Sequence, residues 1–76
     1  MTNIEKIIKN KKERYYKLEN KITQLNLEYM CILNNEITKL NEKCLKRISS
    51  EINYLERQQD ILMKQINEKE RMMRGI

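Results

Sequence analysis

"EYMCILNNEITKL", residues 28–40, decides the fold, because everything else follows from whether a helix runs through it. Before it lies an apolar stripe of Ile4, Ile8, Lys11, Tyr15, Leu18, Ile22, Leu25, Tyr29 and Ile32. Its steps alternate between three and four residues, the seam of a left-handed coiled coil. The next position is Glu36, so that register stops. A shifted series follows through Leu33, Ile37, Leu40, Cys44 and Ile48, then Ile52 and Leu55. Heptad steps resume at Gln59, Leu62, Ile66, Lys69 and Met73. Ile22, Leu33, Cys44, Leu55 and Ile66 are each eleven apart, a spacing that one helix accommodates by straightening its supercoil.

The reading is therefore an all-α chain. Residues 1–76 are expected to form a single long amphipathic helix in a coiled coil, with a register change near 33–48. At 1.5 Å per residue such a rod is about 110 Å long. The alternative is a helical hairpin assembling into a four-helix bundle. Asn34–Asn35 would make its turn, and Ser49–Ser50 offers another break, since Asn and Ser favour turns and caps over helix interiors. The rod is preferred because Ile32, Leu33, Ile37 and Leu40 stay on one face across the Asn pair.

Other local signals agree with helix. Thr2 and Glu5 in "TNIE" have the spacing of a capping box. The only Gly is Gly75, just after Arg71 and Arg74, where a helix end favours it. Between them no Pro intervenes. Glu5–Lys9, Glu13–Lys17, Glu42–Lys46, Asp60–Lys64 and Glu70–Arg74 each place an acid four residues before a base. That order adds roughly 0.2–0.5 kcal/mol per pair.

Composition points the apolar stripe toward a partner helix. With 36% charged residues and neither Trp nor Phe, a chain of 76 residues has little to build a private core from. The periodicity speaks against the disorder that such a composition would otherwise favour. The first residues do not read as a signal peptide, because Glu5, Lys6 and Lys9 interrupt their apolar residues. The longest apolar run, "YMCIL" at 29–33, is far too short for a transmembrane segment. On a rod Cys31 and Cys44 stand about 20 Å apart, too far for a disulfide. With no His, neither a metal site nor a cofactor is expected. A cytoplasmic or otherwise intracellular location suits reduced thiols.

The charge is uneven. Residues 1–17 carry six cations against two acids, residues 18–42 have a net charge of −2 and residues 43–76 of +3. Lys9, Lys11, Lys12, Arg14 and Lys17 are the candidate phosphate-binding residues. A basic stretch before a zipper invites comparison with basic-zipper DNA readers, but the match stops at Asn3 and Lys11. Ile7 and Ile8 fall where a groove helix stays polar, and Lys cannot copy the bidentate guanine contact of Arg. The basic stretch is thus foremost a solvated helix face.

No enzyme is expected, since nothing resembles an activated nucleophile, an acid–base pair or a phosphate loop. The expected function is a coiled-coil oligomerisation and protein-interaction protein whose partners are itself, as a homodimer, and another protein. Its interface residues are Leu18, Ile22, Leu25, Tyr29, Ile32, Leu33, Ile37, Leu40, Cys44, Ile48, Leu55, Leu62 and Ile66. The alternatives are a basic accessory protein binding nucleic acid non-specifically and a small regulator docking on a larger protein.

Overall fold

The computed structural model describes residues 2–35 and 38–75. Two helices, α1 (Asn3–Leu33) and α2 (Lys39–Arg74), pack against each other as an antiparallel hairpin. The molecule measures 57 × 16 × 13 Å. This corrects the first reading: the chain is not a single rod of about 110 Å but folds back at the Asn pair.

The turn shows why. The amide of Asn34 donates to the Met30 carbonyl and that of Asn35 to the Ile32 carbonyl, both at 3.1 Å. The Asn35 side-chain amide donates to the Cys31 carbonyl at 2.9 Å. Carbonyls at a helix end lack intrahelical partners, and Asn supplies one. Helix α2 then starts on Thr38, in an extended conformation, whose hydroxyl accepts from the Asn41 amide at 3.2 Å. Glu42 occupies the first turn of α2, where an acid complements the helix dipole.

Magnitudes favour the hairpin. Asn and Thr inside a rod would each cost roughly 0.5 kcal/mol in helix propensity, whereas at the turn the same residues act as caps. Two separate rods would also lose translational and rotational freedom on pairing, on the order of 4–15 kcal/mol. Closing a short intrachain loop avoids that loss.

The other local expectations hold in part. Thr2 caps α1 by accepting from the Glu5 amide at 3.2 Å. Gly75 ends α2 in a right-handed conformation, φ −78° and ψ −5°, so its freedom to adopt positive φ is not used. Ser49–Ser50 does not break α2. Of the five acid-to-base pairs, Glu70–Arg74 closes, at 3.5 Å; the other four do not close among the described residues.

The core is a seam between the two helices. Ile22, Leu25, Ile48 and Leu55 form one buried cluster, against which Leu18, Tyr29, Ile32 and Ile52 pack. Ile8, Leu62 and Ile66 extend the buried row toward the open end. On α1 the facing residues are those of the expected stripe. On α2 they form a second unbroken heptad series: Asn41, Leu45, Ile48, Ile52, Leu55, Gln59, Leu62, Ile66, Lys69 and Met73. All of these are buried or half-buried. The register therefore does not drift through 33–48; it restarts after the turn.

Candidate interaction surfaces

Residues assigned from sequence to an oligomer seam do not stay together. Leu18, Ile22, Leu25, Tyr29, Ile32, Ile48 and Leu55 belong to the intrachain cluster, and Leu62 and Ile66 are buried in the same seam. Cys44 is half-buried beside it. Leu33 and Leu40 face solvent instead, at 44% and 71% exposure. Ile37 lies outside the described residues.

The seam carries polar residues in its open half. Gln59 is only 9% exposed, and its side-chain amide donates to the Glu19 carboxylate at 2.7 Å and to the Tyr15 carbonyl at 3.5 Å. The Lys11 ammonium, half-buried, donates to Gln65 Oε1 at 2.7 Å. Among the described residues no buried side-chain polar atom lacks a partner. These bonds also define the two long flanks of the hairpin. Gln59–Glu19 and Lys12–Glu70 cross on one side, Lys11–Gln65 and Lys21–Glu51 on the other.

Helix phase distributes the basic segment over both flanks. Lys9 and Lys12 line a groove of about 580 Å³ together with Glu5, Glu13 and Glu70. There Lys12 pairs with Glu70 at 2.9 Å. The hydrogen bond from Lys12, and its charge, hold the Glu70 carboxyl below its ordinary range, with Arg74 adding a little. Lys11, Arg14 and Lys17 line a different groove of about 630 Å³, joined there by Lys21, which the sequence reading had not singled out. Among the described residues no acid lines this second groove. Lys21 pairs with Glu51 at 3.8 Å, while Lys11, Arg14 and Lys17 have no acidic partner among the described residues, so the groove stays cationic. Its opposite wall is Tyr54, Gln58, Ile61 and Gln65, with Tyr54 61% and Ile61 49% exposed.

Large apolar side chains are also exposed elsewhere. Leu27 and Met30 join Leu33 and Leu40 near the turn, while Tyr16 and Met63 lie along the flank opposite the cationic groove. Cys31 is an exposed thiol. Among the described residues no His, Cys, Asp or Glu side chains cluster closely enough to hold a metal ion. No helix among the described residues is long and apolar enough to cross a membrane. Searches against protein families, curated proteins and solved structures found no match for this chain.

Proposed function

We propose that this chain is a helical-hairpin assembly module that packs side by side with a second copy of itself, bringing four helices together. The observation that carries the reading is the thinness of its own core. Among the described residues no large side chain is fully enclosed by the two helices, while Tyr54, Ile61, Met63, Tyr16 and Met30 stand exposed on the outer flanks. Small domains with so little interior are stabilised by oligomerisation, and exposed apolar rows along helices are surfaces that other helices cover. A standard interface buries about 800 Å² per partner, a small share of the 6353 Å² that the chain exposes. One long flank is ample.

The test is the mass in solution, by light scattering on a sizing column. The reading predicts a multiple of 9.4 kDa at micromolar concentration. Ile61→Asp should shift the mass down without loss of helix, since Ile61 lies outside the intrachain seam. A wild-type chain that stays at 9.4 kDa up to the highest attainable concentration sinks the reading.

A further inference from the structure

The two flanks have opposite charge at the same height along the hairpin. On one side Arg14, Lys17 and Lys21 of α1 face Tyr54 and Ile61 of α2 across the cationic groove. On the other, the heptad phase that brings Glu19 to Gln59 also brings Glu56 and Asp60 of α2 beside Glu19. Between Tyr16 and Met63 toward the open end and Asn26 and Ser49 toward the turn, that phase places no cation with them on this flank. The level is common to both flanks: Gln59, bonded to Glu19, is the immediate neighbour of Gln58 in the groove wall.

From this juxtaposition we infer that the occupant of the cationic groove is the acidic flank of a second copy, so that hairpins associate laterally, basic flank on acidic flank. The inference rests on the self-assembly proposed above and gives it a geometry. Charge complementarity selects the occupant. A two-fold symmetric dimer through the groove would set Arg14, Lys17 and Lys21 against their own counterparts, and like charges brought together oppose association. The acidic flank meets them with Glu19, Glu56 and Asp60, and carries Tyr16 and Met63 to cover the exposed faces of Tyr54 and Ile61. The groove runs from Lys11 to Lys21, about 15 Å or three helical turns, and the acids from Glu56 to Asp60, about 6 Å along α2, fit within that span. Such a contact is heterologous: each copy still presents one free basic and one free acidic flank, so the assembly grows or closes into a ring.

Charge reversal tests this by sedimentation velocity at roughly 50 mM and 500 mM salt, a range over which exposed charges become screened. Wild-type protein should assemble beyond a dimer at low salt and lose at least tenfold in association constant at high salt. Arg14→Glu/Lys17→Glu cancels the positive charge of the groove, which keeps Lys11 and Lys21, and Glu56→Lys/Asp60→Lys leaves Glu19 as the one acid among the three and turns that patch net positive. None of the four residues makes a described bond across the seam, so circular dichroism should show unchanged helix. Each variant alone should be monomeric, and an equal mixture should assemble again. An assembly unaffected by salt and by either reversal contradicts the inference while leaving the assembly module standing. Failure of the mixture to recover also contradicts it. A wild-type monomer under all conditions removes both.

Discussion

The half of the hairpin nearest the turn and its open half are built differently. Toward the turn, beyond Asn41 at the start of α2, Ile22, Leu25, Ile48 and Leu55 form one buried apolar cluster behind two capped helix ends. Toward the open end Ile8, Leu62 and Ile66 are buried too, but Lys11, Gln59 and Lys69 share the seam with them, and an ion pair and hydrogen bonds add to the contact. The first half draws on area removed from water, roughly 1.5–3 kcal/mol per fully buried side chain. A surface ion pair such as Lys12–Glu70 adds far less, because solvent and salt screen it. The hairpin should therefore close from its turn and open from its ends.

The largest effect is expected from emptying the apolar half. Ile48→Ala should cost about 2–5 kcal/mol in chemical denaturation, toward the upper part of that range. Ile8→Ala at the open end should cost distinctly less, because only part of the chain depends on it. Equal losses would erase the distinction between the halves. Leu25→Asp and Leu40→Asp sharpen it further: the first should abolish cooperative unfolding, by placing a charge in the seam, and the second should leave the helix content intact.

Caps come next. Thr38→Ala removes the acceptor for the Asn41 amide at the start of α2 and should lower stability by about 1 kcal/mol. Thr2→Ala removes an equivalent bond at the open end of the hairpin and should change the melting temperature far less. Gln59→Leu is expected to raise stability by about 1 kcal/mol, since apolar burial replaces a polar group in the seam and the exposed Glu19 returns to water. A lower melting temperature would show that the Gln59–Glu19 bond contributes more than the area it displaces.

The smallest effect is acidification. The Glu70 carboxyl is held below its ordinary range in the folded chain, so its stabilising share is present above the unfolded value and disappears as pH falls through the folded one. Hydrogen exchange at low pH should speed up first in the initial turns of α1 and the last turns of α2, and Lys12→Ala should abolish that sensitivity. Faster exchange beginning in the cluster around Leu25 would contradict the assignment.

Much of this was legible in the sequence. The α1 stripe, the Thr2 cap and the Asn34–Asn35 turn could all be read from residue type and spacing. The strict α2 series from Asn41 was also present, but the eleven-residue spacing through Leu33 and Cys44 offered a competing path that kept the helix continuous. Thr38 was the missing signal, because an N-cap there turns a phase shift into a restart. Periodicity shows that a stripe must be covered; it does not show that the cover comes from the same chain. That follows from loop closure, which no residue pattern displays. The division of Lys9 and Lys12 from Lys11, Arg14 and Lys17 follows from helix phase, but only a second helix turns the two sides into separate grooves.

The central claim is that α1 and α2 pair within one chain, and the distance between the chain's two ends tests it most directly. Spin labels at Lys6→Cys and Arg71→Cys, in a Cys31→Ser/Cys44→Ser background diluted with unlabelled protein, report it by pulsed dipolar spectroscopy. Helices packed 8–10 Å apart, plus two label arms, predict a distance under about 25 Å. A continuous helix would place the labels about 100 Å apart, and a measurement showing no short distance would contradict the hairpin.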